Sequence, residues 1–596
     1  MHPRPLTTTR SRRWLGAVAA ASAALAGVAA VPQAAHSDPG PCPEAFPVAG
    51  LTKGAPVTGL TVTSGEQPEQ FGGEVLGVLQ DGIGPGIDMV LVDVDSPTVE
   101  KAGIWSGMSG SPVYAADGRL IGAVAYSLGT GSSSVAGVTP ATEMYKLLTP
   151  SSAARVAPSP TARLSGSLQR TVQKSSGTTT STMKRLRVPV SMSGLGAQRV
   201  EQLAPALNSQ GVRLADTAAG APSETTYDIS PGSNLAASMS YGTVTTAGVG
   251  TTTAVCGEEI IGFGHPMNFT GASTMSLHGA TATHIQDDLV SSSKVANIGA
   301  PSGRIDRDRL AGIRGREGAL PTPYTLAATA EQDGQSFEAK TTVTVPSLVP
   351  ELAFANTITA QDRAGDRIGG GQAETTWTVK GTRKDGSPFS YTRSNRYADP
   401  SDISAATAVG LAQELLAVQD NPGEVVKITS VDSSTRLDEN YEKYAVAKVQ
   451  YRKGSTWASL SSSRATAVRQ GSTLALRIVL TSREAADKVL TTSVTVPRGS
   501  AGRIGRLSVA GGGADIYSSE EFFDDEESFF DDEEPAPSPA AFPALLEELK
   551  AAPANDEVVA TLRLSGRGAA SKPVTSTVDA DRVVTGGKAF LVRPTR

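Results

Sequence analysis

The chain is 596 residues long, 39% hydrophobic, with a formal net charge of -6 and two cysteines. That length holds more than one buried core, and an acidic balance without a basic face excludes a nucleic-acid footprint. Gly, Ser, Thr and Val are abundant and long helix-forming runs are few, so the composition predicts a mainly β protein.

Residues 1–37 read as an export segment: an Arg-bearing start, an Ala/Gly-rich apolar stretch from Trp14 to about Val31, and small residues after it. This predicts a secreted chain or one held at the cell envelope. No later stretch is long and apolar enough to span a bilayer. Cys42 and Cys256 both lie beyond this segment. In an oxidising compartment they are either one bridge or two isolated thiols.

Residues 38–150 form a strand-rich unit. "EVLGVLQDGIGPGIDMVLVDVD" holds two apolar runs around a Gly/Pro loop, and "SPVYAADGRLIGAVAY" predicts a hairpin at Asp117-Gly118. A short helix in "TPATEMYKLLTP" must stop near Pro150. Residues 151–185 are Ser/Thr/Ala-rich and read as a linker. A second β-rich unit, 186–346, carries a helix in "AQRVEQLAPALNSQG" ended by Gly211, then the strands "YGTVTTAGVG" and "EEIIGFGHPM". Residues 347–510 predict a β-rich accessory domain, with a hairpin at Asp385-Gly386 and a helix capped by Ser401 or Asp402. An acidic low-complexity segment, 511–540, contains "EEFFDDEESFFDDEE" at 520–534, whose paired phenylalanines suit docking on a protein partner. A C-terminal segment, 541–596, closes the chain.

One hexapeptide, "GMSGSP" at 107–112, invites chemistry. A serine nucleophile needs a turn that exposes its hydroxyl, amides to hold an oxyanion, and a base. Gly107 and Gly110 permit the tight turn around Ser109, and the amides of Gly107 and Ser109 are candidates for the oxyanion hole. Ser111 is the weaker nucleophile candidate. Only His265, His278 and His284 remain for a base once the export segment is set aside. His265 stands at a strand-end corner between Gly264 and Pro266, suited to presenting one ring, whereas His278 and His284 read as solvated or structural. Cys256, the three histidines and Asp287 match no compact metal-ligand spacing, so neither a metal nor another cofactor is expected. The run "GRIDRDRLAGIRGRE" reads as a solvated turn with local ion pairs.

"GIWSGMSGSPVYAADGRLIGAVAY" resembles the nucleophile segment of the SpoIVB-type serine peptidases (the stage IV sporulation protein B family), and "GTVTTAGVGTTTAVCGEEIIGFGHPM" resembles that family's histidine segment. The likeness covers about residues 50–147 and 240–316. It implies a chymotrypsin-like β-barrel peptidase unit acting on a protein or peptide, with Ser109 attacking and His265 as base. Here the serine segment comes first, so the unit is permuted; chain order does not forbid the geometry. The family's Asp-Pro upstream of the serine implies Asp95 as the group orienting the imidazole, ahead of Asp93 and Asp88, although Ser96 separates Asp95 from Pro97. A Ser-His dyad held by a backbone carbonyl is the other arrangement. The rival to an exported serine endopeptidase is a non-catalytic envelope scaffold on the same fold.

Overall fold

A computed structural model describes residues 41–128, 133–149, 159–214, 223–288, 292–512, 541–565 and 572–596. The export segment and nearly all of the acidic segment, including 520–534, lie outside the described residues. Among the described residues half are strand and 17% helix, the mainly β class expected from composition.

The first unit runs through β1 (Pro56–Thr61), β2 (Glu69–Gly84), β3 (Ile87–Asp95), α1 (Pro97–Ala102), β4 (Pro112–Ala115), β5 (Leu120–Ser127), β6 (Val135–Pro140) and the short α2 (Ala141–Met144). Its six strands pair in the antiparallel order β4-β1-β2-β3-β6-β5, and β5 pairs back onto β4 to close a barrel. Alternation along β3 decides what faces inward: Val92 and Val94 enter the apolar core, while Asp93 and Asp95 point outward. Asp117-Gly118 makes the β4–β5 turn, with Gly118 at φ +85°.

The stretch read as a linker is instead structured where it is described: β7 (Thr161–Arg163), α3 (Gly166–Ser176) and β8 (Thr182–Arg185). Ser165 caps α3 and Gly177 ends it in the left-handed conformation. The strand β8 extends the first sheet by pairing Arg185 with Tyr126 of β5. Polar composition misled here because one buried face, Leu164, Val172 and Met183, is enough to seat the segment.

After β9 (Val190–Ser193) and α4 (Ala197–Ser209), a second ring forms from β10 (Asn234–Gly242), β11 (Thr245–Cys256), β12 (Glu259–Gly262), β14 (Ser276–Gln286), β15 (Ser293–Arg309) and β16 (Gly312–Glu317); the two-residue β13 (Gly271–Ala272) pairs beside β15. Neighbouring strands in the antiparallel order β10-β14-β15-β16-β12-β11 are hydrogen-bonded, and β11 returns to β10. Its ring strands share a small core of Ala236, Ala247, Val249, Ala280, Ala296 and Ile298.

The boundary expected at 346/347 does not separate sheets. β17 (Tyr324–Gln332), β18 (Gln335–Val343), β19 (Gly371–Thr382), β20 (Pro388–Asp399) and β21 (Lys427–Asp438) continue the second sheet from β10. The helix α5 (Val349–Gly365) is buried against β17, β18, β21 and the following helix α6 (Ile403–Gln419). Asp402, not Ser401, caps α6, accepting from the Ala405 amide at 3.0 Å. Two five-stranded sheets over 444–595 then share one core, including Leu476, Ile478, Leu507, Val558 and Phe590. The C-terminal segment is thus part of the accessory module. Among the described residues, no helix is long and apolar enough to cross a membrane.

Candidate active site

The serine turn links α1 to β4. Met108 and Trp105 are fully buried beneath it, so the turn is anchored by apolar side chains on the first barrel. Gly107 and Gly110 both take left-handed φ, +97° and +98°. At Gly110 a Cβ would stand 1.9 Å from the carbonyl oxygen of Thr251, so no side chain fits.

The histidine comes from the other ring. β12 ends at Gly262, and Phe263 and Gly264, both at φ +68°, turn the chain sharply before His265. Phe263 bears the strain of that conformation while its ring is wholly buried. Gly264 lies against Ala123 and Ala125 of β5, and its carbonyl accepts from Thr139 Oγ1 at 2.6 Å. The Gly110 amide and Ser111 carbonyl also bond to Val124 of β5. One strand therefore carries both loops.

Ser109 and His265 meet there. His265 Nε2 is 2.8 Å from Ser109 Oγ, and its Nδ1 is 2.8 Å from the carbonyl oxygen of Pro266. A carbonyl only accepts, so Nδ1 carries the proton, Nε2 offers its lone pair, and the serine hydroxyl donates to it. Burial lowers the imidazole pKa to about 4; the Pro266 bond opposes this and the nearby Arg185 charge adds to it. The ring is therefore a neutral base at neutral pH. Among the described residues, Arg185 Nη1 and Tyr126 Oη, on paired positions of β8 and β5, are buried without a hydrogen-bond partner.

The amides of the turn are aimed by their own carbonyls. In a trans peptide the N–H points opposite to the C=O. The Ser106 carbonyl accepts from the Lys294 amide at 2.8 Å, and the Met108 carbonyl accepts from the Ser111 amide at 3.0 Å. This turns the Gly107 and Ser109 N–H groups away from those contacts, and among the described residues neither donates to a protein acceptor. Two buried, unspent amides flanking the hydroxyl are what an oxyanion would occupy.

Asp95 is not brought to this pair. It is exposed at the end of β3, because Ser96 caps α1, accepting from Val99 at 3.2 Å, and Pro97 opens the helix. Asp93 accepts from Ser134 and Ser175, and Asp88 from the Asp81 amide. The imidazole is oriented by the Pro266 carbonyl instead. Ser111 is also withdrawn, its hydroxyl 2.9 Å from Thr61 Oγ1. Cys256 is bonded to Cys42, and His284 is exposed beside Gln286. His278 is buried in the second ring.

His278 supplies an internal contrast. Its Nε2 is 2.7 Å from Ser238 Oγ and its Nδ1 2.8 Å from the Gly299 carbonyl, the same donor pattern as at Ser109. Ser238, however, lies within β10 and is paired to Ala247 on one side and Ser276 on the other. Its backbone is committed to the sheet. A Ser-His bond alone does not make a reactive site; Ser109 differs in that the Gly107 and Ser109 amides of its turn are uncommitted among the described residues.

One contributing group had no sequence signal of its own. Asp308 is fully buried and accepts from the Met267 and Asn268 amides at 2.8 and 2.7 Å, fixing the loop after His265. It belongs to the run read as a solvated turn; Arg314 and Arg316 of that run do form ion pairs with Asp306 and Glu259. Alternation in "RIDRDR" would put Asp306 and Asp308 on one face opposite Ile305, but a bulge between Ile305 and Arg307 turns Asp308 inward with Ile305.

Ser109 and His265 are 0% and 1% exposed, so the pair is closed to solvent. A cavity of about 340 Å³ lies elsewhere, lined by Gly194, Arg199, Thr359 and Asp362. Compared with models of known protein families, with curated proteins and with solved structures, the chain matches none.

Proposed function

We propose that the chain is an exported serine endopeptidase whose Ser109 attacks a peptide carbonyl. The observation that carries this is the 2.8 Å Ser109–His265 hydrogen bond on a turn with two unspent amides. Ser109 Oγ passes its proton to His265 Nε2 as it bonds to the carbonyl carbon, and the resulting oxyanion takes the Gly107 and Ser109 amides. The protonated Nε2 then donates to the leaving amine, and water hydrolyses the acyl-serine by the reverse transfers. The Pro266 carbonyl performs the tautomer-setting part of a triad carboxylate and lacks its charge. Drawing serine and histidine from two antiparallel rings supports the chymotrypsin-like arrangement implied by the SpoIVB-type resemblance. The Cys42–Cys256 bridge supports an oxidising, extracytoplasmic setting.

The non-catalytic scaffold is favoured by one observation, the closure of the dyad: a substrate reaches Ser109 only after neighbouring side chains move. Labelling by a small fluorophosphonate separates the two readings. The peptidase reading expects covalent labelling of the wild type and of Ser111→Ala, and none of Ser109→Ala or His265→Ala. A folded wild-type protein that takes no label over hours, at any pH from 5 to 8, sinks the enzyme reading and leaves the scaffold.

A further inference from the structure

Lys294, near the start of β15, is 2% exposed, and among the described residues its ammonium has only neutral partners: Asn234 Oδ1 at 2.9 Å and Thr251 Oγ1 at 3.4 Å. Asn234 Nδ2 donates to the carbonyls of Gly65 and Ala280, which turns the amide oxygen toward the lysine. Along their strands Asn234, Thr251 and Lys294 are two residues from Ala236, Val249 and Ala296, members of the small core. The alanines leave room for the lysine stem at the end of that core.

We propose that Lys294 is a positioning residue for the peptidase site, holding the turn whose Gly107 and Ser109 amides receive the oxyanion. The proposal rests on the peptidase reading above and concerns how its oxyanion hole is built. Three contacts carry it. The Lys294 main-chain amide fixes the Ser106 carbonyl and so the direction of the Gly107 N–H. The ammonium donates to Thr251 Oγ1, which donates to the Gly107 carbonyl at 3.1 Å, holding the next peptide of the turn. The Lys294 Cβ is 2.7 Å from where a Cβ on Gly107 would stand, so the turn rests directly on the lysine.

A buried cation without a counter-charge weakens a fold, and an apolar side chain of similar length would serve packing better. Burial alone lowers the Lys294 pKa, to about 7. The groups facing it from β10, β11 and the turn, Asn234, Thr251 and the Ser106–Gly107 peptide, carry no charge. Below about pH 7 the charged ammonium polarises the Thr251 hydroxyl; above it that charge is lost. Labelling by fluorophosphonate, whose phosphoryl oxygen enters the same hole, should therefore fall on the alkaline side.

The test is the rate of fluorophosphonate labelling of the full chain against pH, for wild type, Lys294→Met and Thr251→Val, with thermal unfolding of each. Lys294→Met should label about 10- to 100-fold more slowly at pH 6, the order expected for a slightly misplaced catalytic group. It should also lose the alkaline decline near pH 7 and keep or raise the Tm. Thr251→Val, which keeps the lysine and cuts the relay, should slow labelling in the same direction; it carries the test if Lys294→Met does not fold. Labelling within twofold of wild type in both variants, or an unchanged alkaline limb in Lys294→Met, overturns the positioning role while leaving the peptidase intact. A wild type that never labels at Ser109 overturns both.

Discussion

Burial and a carbonyl partner together make the acid limb of the Ser109–His265 pair unusual. An ordinary histidine titrates at 6.5, whereas burial brings His265 down to about 4, because charging the ring would place a cation in a dry site with no carboxylate beside it, only the neutral Pro266 carbonyl and Ser109 hydroxyl. A carboxylate on Nδ1 would act in the opposite direction. The base form exists above the folded pKa, so reactivity should rise as pH increases through about 4 and be nearly complete by pH 5.5. At that pH about 97% of rings with a pKa of 4 are neutral, against about 9% of rings at 6.5, a tenfold difference in the rate of serine labelling. Fluorophosphonate labelling between pH 3.5 and 6.5, with circular dichroism at each pH to follow folding, measures the limb. A midpoint at 6 or above would refute the reasoning, since it requires a solvated ring or a carboxylate behind it. Asp95→Asn gives the complementary result: with Asp95 exposed and away from the ring, the midpoint stays in place and the rate stays within about twofold.

Further outcomes concern the frame that holds the pair. Gly110→Ala forces a Cβ into the Thr251 carbonyl at a left-handed φ, and should lower stability in urea by about 3 kcal/mol or more. Gly118→Ala, at φ +85° with open space around it, should lose only about 1 kcal/mol; equal losses would mean that strain, not the close approach, governs Gly110. The Cys42–Cys256 bridge spans 214 residues and ties the segment before β1 to the end of β11, so Cys42→Ser with Cys256→Ser should destabilise the fold by up to about 5 kcal/mol. Thermal unfolding that is the same with and without reductant would contradict it.

Much of the architecture was legible because it rests on local patterns. Apolar runs between turn residues marked strands of both rings, Asp117-Gly118 and Asp385-Gly386 marked the β4–β5 and β19–β20 hairpins, and a cap at Ser401 or Asp402 marked α6. The reading failed where polar composition concealed one buried face, in α3 and β8, and where a boundary was drawn through a continuing sheet near Pro346. In the site, the glycines around Ser109 and the corner at His265 could be read because tight turns demand particular residues. Asp95 was misjudged because a helix cap at Ser96 and the outward phase of β3 decide its direction, and the group that replaces it, the Pro266 carbonyl, has no side chain to betray it.

By itself, the sequence determined the mainly β class, the two turns able to carry a nucleophile and a base, and the pair of cysteines free to join. Only the tertiary structure decided that His265 comes within hydrogen-bond distance of Ser109, that a carbonyl orients the ring, and that Lys294 is buried beneath the turn. Turn and strand preferences act over a few neighbouring residues. The partners of His265 and Lys294 are set by how β5, β11 and β15 pack across more than a hundred residues of chain, and long-range packing leaves no periodic mark in a sequence.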